Sequence, residues 1–328
     1  MKQVTYTIVF LLVAAAVFAQ QNGEVKEKKR YEHFKERNIS KTYAAGGNTL
    51  QVNNSFGSVT VTTWDRNEIK VDIHIESSSN DKEVAERVFN NIDVIESKEG
   101  NTIKFKTTTD KNKNNNYNCK ICSSTMEISY TIQLPANTIL KIENQFGGIK
   151  IPDYTGNISL VSKFGSLTTG NLAKVENMLV EFGKATIKSM GDVNAVFKFS
   201  TITIDHLSGN NKLNMEFCGS SKISMNNDLT GLTLKESYST VNLRPASNFS
   251  ASYSIRTSFG SLKNRSNANI ERTDKPDEYG PDSDRDYKGQ SGSGAAKIEV
   301  RSSFGTIIIG EATAEEMKDK KEKNKERV

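Results

Sequence analysis

Few residues in this chain could do chemistry by type and spacing. Cys119-Lys-Ile-Cys122 is the sharpest local motif, and only Cys218, His33, His74 and His206 join it as thiol or imidazole groups. A structural zinc site takes four such ligands from a compact set, which one Cys pair does not fill. A thioredoxin-type pair opens a helix whose amides hold the thiolate, whereas the flanks here read as an Asn-rich loop and a strand. In an oxidising compartment the reading is a local Cys119–Cys122 disulfide, with zinc and thiol redox chemistry as the alternatives. The disulfide demands a turn, because residues three apart in an extended strand lie about 10 Å apart. Cys218 reads as a buried free thiol. Asp282-Ser-Asp284-Arg-Asp286 starts like a calcium loop, but Tyr287 and Ser293 stand where Gly and Glu are needed, so it reads as a solvated loop. No metal site and no cofactor is assigned.

The other place to look for chemistry is a periodic one. Aligned on a recurring aromatic, the copies of one motif fall at Phe56, Phe146, Phe164, Phe182, Phe199, Phe217, Tyr238, Phe259 and Phe304, six of them followed by Gly. From Phe146 to Phe259 the intervals are 18, 18, 17, 18, 21 and 21. The residue just before each aromatic from Phe146 onward reads Gln145, Lys163, Glu181, Lys198, Glu216, Ser237, Ser258 and Ser303. A carbohydrate-active β-helix would use such a face for paired carboxylates or a basic cleft, and the alternation of sign here supplies neither. No catalytic residues are assigned.

These positions imply the elements that hold them. Four residues before each aromatic stand Val52, Ile142, Leu160, Met178, Ala195, Leu213, Leu234, Ile255 and Val300. Three residues after come Val59, Ile149, Leu167, Ala185, Ile202, Val241, Leu262 and Ile307, with only the Phe217 copy out of step. A fixed period near 20 with one apolar face per copy predicts an all-β solenoid or β-roll of about 18–21 residues per turn, its strands three to seven residues long. On this reading the nine aromatics form a structural ladder inside the stack. Gly156-Asn157, Gly170-Asn171, Gly191-Asp192, Gly209-Asn210 and Asn226-Asn227 fall between copies, where the backbone must turn and tolerance of positive φ is expected.

Along the chain, residues 1–19 carry Lys2, an apolar run from Ile8 to Phe18 and Ala19, the pattern of a cleaved signal peptide too short to span a bilayer. Residues 20–40 read as a charged linker or short helix. Residues 41–138 read as a β-rich part with one helix near 80–92, capped by Asn80 with Glu83 three residues on. Residues 139–310 hold the repeats, interrupted by an extruded loop at 264–294, after which the Phe304 copy closes the last turn. A charged tail follows at 311–328. The formal charge of +5 is too weak an excess over this length to argue for nucleic acid.

The stretch Asn54-Ser-Phe56-Gly-Ser-Val-Thr-Val-Thr-Thr-Trp64-Asp65, the Phe-Gly copies and the closing Gly292-Ser-Gly294 and Lys297-Ile-Glu-Val-Arg-Ser-Ser-Phe304-Gly-Thr-Ile resemble the putative-adhesin family of exported bacterial proteins. The resemblance covers roughly residues 40–310. It implies an all-β repeat fold outside the cytoplasm and brings no catalytic residues. The chain departs from the family's Gly-Asp corners and carries the 264–294 insertion. The expectation is an exported protein of the periplasm, cell surface or medium, without a transmembrane helix in its mature form. It would present a repeat surface to an envelope or extracellular protein or glycan; the alternatives are a carbohydrate-active enzyme or an envelope scaffold.

Overall fold

A computed structural model describes residues 31–109, 122–275 and 282–317. About 70% of the described residues are strand, with one helix among them. In chain order the strands are β1 (His33–Ala44), β2 (Thr49–Ser55), β3 (Val59–Thr63), β4 (Glu68–Ser79), β5 (Asp93–Glu99), β6 (Thr102–Thr108), β7 (Ser124–Leu134), β8 (Ile139–Gln145), β9 (Gly148–Ile151), β10 (Tyr154–Lys163) and β11 (Ser166–Glu181). They continue with β12 (Lys184–Gly191), β13 (Asn194–Lys198), β14 (Thr201–Glu216), β15 (Ser220–Ser237), β16 (Thr240–Pro245), β17 (Ala251–Ser258), β18 (Ser261–Arg265), β19 (Asn269–Arg272), β20 (Asp284–Ser291), β21 (Ala296–Ser303) and β22 (Thr306–Gly310). Helix α1 (Lys82–Asn91) lies between β4 and β5.

The 22 strands of the described residues all join one sheet. Its pairings include the circuit β11–β12–β14–β13–β11, so the sheet closes on itself as a small four-stranded barrel. Copies of the motif pair in parallel at equivalent positions. Leu160 stands opposite both Ile142 and Met178, Met178 opposite Ala195, Ala195 opposite Leu213, and Leu213 opposite Leu234. A second column runs Val59, Ile149, Leu167, Ala185, Ile202. Both columns are buried, because alternation puts every second residue inward and the inward residues are aliphatic. Several strands are longer than expected: β11 and β14 have 16 residues and β15 has 18, since the corners between copies keep extended backbone.

The copies do not stack in sequence order. Leu234 pairs with Val300, and Val300 pairs with Ile255, so the Phe304 copy slots between the Tyr238 and Phe259 copies instead of closing the end. The 264–294 insertion makes this possible. It is not an extruded loop: β20 covers the edge of β17 over eight antiparallel pairs, β19 pairs with β20, and Ile270 and Tyr287 pack on the core. The chain thereby reverses at the end of the stack and returns one level down.

At the other end the linker reading also changes, because residues 33–40 belong to β1, which runs antiparallel along the whole of β4. Helix α1 is capped by Asp81, not Asn80: the Asp81 carboxylate accepts from the Val84 amide (3.0 Å). The Asn80 side chain instead accepts from the Ser123 amide (2.9 Å).

Candidate functional site

At each of the nine aromatics the backbone turns left-handed, with φ between 50° and 63°. Carried forward from Leu160 and Ser162, strict alternation would put Phe164 inside. A left-handed residue ends the strand there and swings its side chain out. The ladder is therefore external, which corrects the expected interior placement. Phe146, Phe164, Phe182, Phe199, Phe217, Tyr238 and Phe304 are 47–49% exposed, Phe259 is 60% exposed, and Phe56 is half-buried.

The rings run in the order Phe56, Phe146, Phe164, Phe182, Phe199, Phe217, Tyr238, Phe304, Phe259, each within 4.7–5.1 Å and 10° of the next. This spacing is that of neighbouring strands, so the eight intervals make a column about 40 Å long. Each left-handed turn also aims an amide up the stack. Phe164 N–H donates to the Glu181 carbonyl (2.9 Å), Phe182 to Lys198 (3.0 Å) and Phe199 to Glu216 (2.9 Å). A left-handed L-residue costs about 1–2 kcal/mol, and ring stacking of about 0.5–1.5 kcal/mol per pair offsets much of it.

The glycine after the aromatic answers a different demand. A Cβ on Gly165 would stand 1.9 Å from the Gly147 carbonyl oxygen, and one on Gly183 2.0 Å from that of Gly165. The corners nest too closely for a side chain. The same close approach, and not positive φ, explains Gly156 and Gly170: a Cβ on either would come within 2.3 Å of Thr138 O or Asp153 Oδ1. Of the expected turn residues only Asp192 and Gly209 are left-handed.

Three corners carry Ser200, Cys218 and Ser239 instead of Gly. The Ser200 hydroxyl donates to Lys198 O (2.7 Å), and the Cys218 thiol to Phe197 O (3.3 Å). Burial pushes that thiol up to about 11, so it is inert. The extra Gly219 explains the out-of-step copy, since Ser221 takes the inward place and its hydroxyl accepts from Ile202 N–H (3.1 Å).

Two residues before each aromatic an inward column changes character along the stack. Asn54 and Asn144 form a hydrogen-bonded pair (3.0 Å), Val180, Phe197 and Met215 are apolar, and Glu236, Ser302 and Thr257 follow. Glu236 is buried. Desolvation pushes its carboxyl up to about 7, opposed by hydrogen bonds from the Ser302 hydroxyl and the Ser239 amide (3.2 Å). Gly305 makes room for it, as a Cβ there would stand 2.1 Å from Oε1. This buried acid was missed from sequence, although a lone Glu two residues before Tyr238, in a position otherwise apolar or neutral, was the available signal.

Two surface columns flank the rings. On one side Lys163, Glu181, Lys198 and Glu216 stand opposite one another in successive copies, with ion pairs Lys163–Glu181 (3.5 Å) and Lys198–Glu216 (3.2 Å). On the other, a groove of about 700 Å³ is lined by Thr201, Ser220, Thr240 and Thr306 along the rings from Phe182 to Phe304, with Lys263 and Glu316 at its wall.

The remaining candidates lie apart from this surface. Cys122 is disulfide-bonded, while Cys119 lies outside the described residues; Cys218 is free. Asp284 and Asp286 belong to β20 and not to a loop, and the solvent-accessible Asp282 and Asp284 take ion pairs from Arg272 (2.7 Å) and Arg256 (3.2 Å). His74 Nδ1 lies 2.8 Å from Asn38 Oδ1, and His206 Nε2 lies 2.7 Å from Asp228 Oδ2.

No family model matches the chain, and no curated protein does. Among solved structures it is similar to a putative adhesin from Bacteroides fragilis (13% identity, TM-score 0.42, covering 83% of this chain and 97% of that one). It is also similar to a putative adhesin from Parabacteroides merdae (7%, 0.37, 87% and 99%) and a putative lipid-binding protein from Parabacteroides distasonis (11%, 0.32, 86% and 100%). At these TM-scores the likeness carries neither fold nor function across.

Proposed function

We propose that the chain is an exported, non-enzymatic, adhesin-like β-solenoid, each Phe-Gly copy one turn, that holds an envelope or extracellular partner along its ring column. The observation behind this reading is the column itself. Eight half-exposed rings in one line make an apolar surface well beyond the few hundred Å² that monomers ordinarily leave bare. The rings stack face to face, so only their edges reach solvent, and sugar-face stacking is restricted to the column's ends. That favours a protein partner over a glycan. The flanking charges pair with each other, which argues against the carbohydrate-active alternative. Among the described residues no helix is long and apolar enough to cross a membrane. Residues 1–19, which lie outside the described residues, would be the export signal, with maturation at Gln20.

The test joins location to binding. N-terminal sequencing should find Gln20 first in the extracytoplasmic fraction, and protease added to intact cells should tell surface display from the periplasm. Labelled mature protein should be retained by intact cells or their envelope fraction, and a Phe164→Ser, Phe182→Ser, Phe199→Ser variant that still melts cooperatively should not. A protein confined to the cytoplasm with Met1 in place, or full retention of the variant, would sink the reading.

A further inference from the structure

We infer that the partner on the ring column is a second copy of this chain, its column antiparallel to the first about a two-fold axis passing between Phe182 and Phe199. The inference rests on the column being a contact surface, as proposed above, and names what covers it.

Area gives the first argument. An aromatic side chain carries about 150–250 Å² of surface, so eight rings half exposed leave about 800 Å² bare in one stripe. That is the share each partner contributes to a standard stable interface. Periodicity gives the second. Ring edges recur every 4.7–5.1 Å, and another copy presents a stripe of identical spacing, so contact made at one level repeats at the next.

Charge selects the orientation and the register. The flanking column reads Gln145, Lys163, Glu181, Lys198, Glu216, Ser237 along the stack, and its four charges change sign on reversal about their centre. A two-fold axis perpendicular to the column, between Phe182 and Phe199, therefore sets Lys163 of each copy against Glu216 of the other, and Glu181 against Lys198. Gln145 then meets Ser237. Moving the axis onto Phe199 would oppose Glu181 to Glu216 and Lys198 to itself, which like-charge repulsion disfavours. A parallel arrangement would set the charged column against the hydroxyl column and match nothing. An isologous, self-complementary patch is what two-fold dimers require.

Sedimentation equilibrium of the mature chain from about 0.5 to 50 μM is the experiment, and a dimer is expected within that range. Lys163→Glu alone and Glu216→Lys alone should each raise the dissociation constant at least about tenfold, and the two together should restore it to within about threefold. Within one chain these residues stand three levels apart, so a rescue cannot arise inside the monomer. Phe182→Ser with Phe199→Ser should give a monomer that still melts cooperatively. A chain monomeric throughout, a dimer indifferent to the ring substitutions, or a double charge variant no better than the single ones would overturn the inference. Monomers retained on cells through the same rings would overturn it while leaving the binding reading intact. A ring-dependent dimer with no retention on cells would support it and sink that reading instead.

Discussion

Phe182 and Phe199 stack 4.7 Å apart and 2° from parallel, while Phe197, two residues before Phe199, is fully buried. Two phenylalanines in one short segment thus do different work. Phe197→Ala should cost about 3–5 kcal/mol, as buried ring truncations do. Phe199→Ala removes two stacking contacts at a solvated corner and should cost about 1–2 kcal/mol. Urea denaturation of the two variants decides it; equal losses would mean that the ring at 199 is packed inside.

The nesting of corners makes a sharper demand than the rings. Gly165→Ala forces a methyl to within 1.9 Å of a backbone oxygen, so it should destabilise by at least about 2–3 kcal/mol. At Gly100 a Cβ meets nothing within 4 Å, and only its φ of 56° opposes alanine, so Gly100→Ala should cost about 1 kcal/mol. Thermal melts that rank the two the other way round would contradict the corner geometry.

Glu236 ties stability to pH. Its folded carboxyl sits at about 7 against an ordinary 4.5, so the folded state binds the proton more tightly than the unfolded one. Its contribution is fully present below about pH 4.5 and is lost as pH rises through 7. The shift corresponds to about 3 kcal/mol between the two limits. Denaturation at pH 5 and pH 8.5 should show this loss in the wild type, and Glu236→Gln should flatten that part of the profile. An unchanged slope in the variant would assign it to other groups.

Parallel pairing of equivalent residues predicts how deletions behave. Removing 160–177 brings Met178 to the place of Leu160, opposite Ile142, with Phe182 stacked on Phe146. Removing only 160–168 leaves half a copy whose residues meet a corner. The longer deletion should fold with one ring fewer and melt cooperatively, and the shorter should not. Circular dichroism melts of both are the measurement.

The sequence made the repeat legible because the inward positions at Leu160 and Leu167 recur in fixed relation to Phe164. It misplaced the ring because alternation holds only while the backbone stays extended, and nothing at position 164 by itself announces a left-handed residue. The Gly that follows six of the nine aromatics was the clue, since a recurring glycine beside a ring points to a left-handed turn or a close backbone neighbour. The slotting of the Phe304 copy between its neighbours was hidden for another reason: Val300 suits either side of Ile255 equally well, and only the antiparallel β20 decides which side is open. His33 and Glu36 fell in a charged stretch whose strand character comes from pairing with β4, not from its own alternation.

The antiparallel strands at the ends have a consequence for size. A parallel stack has a direction, and a further copy continues it in register only on a strand running the same way. β5 on β6, β4 on β7 and β20 on β17 run the opposite way, and the strands outside the last two, β1 and β19, turn back to the stack's direction. But β1 carries Lys35, Glu36, Arg37 and Lys41, β19 is four residues long, and β18, paired among the described residues only with β22, is five residues long and carries Lys263 and Arg265. Short or charged edges oppose extension at the ends, yet parallel pairing of equivalent residues in the interior does not fix the number of copies. Duplicating an eighteen-residue unit in the gene would lengthen the column by one strand spacing and leave both ends as they are. On the proposed solenoid reading the molecule would be a ruler whose length changes in steps of about 4.8 Å without a new solution at either tip.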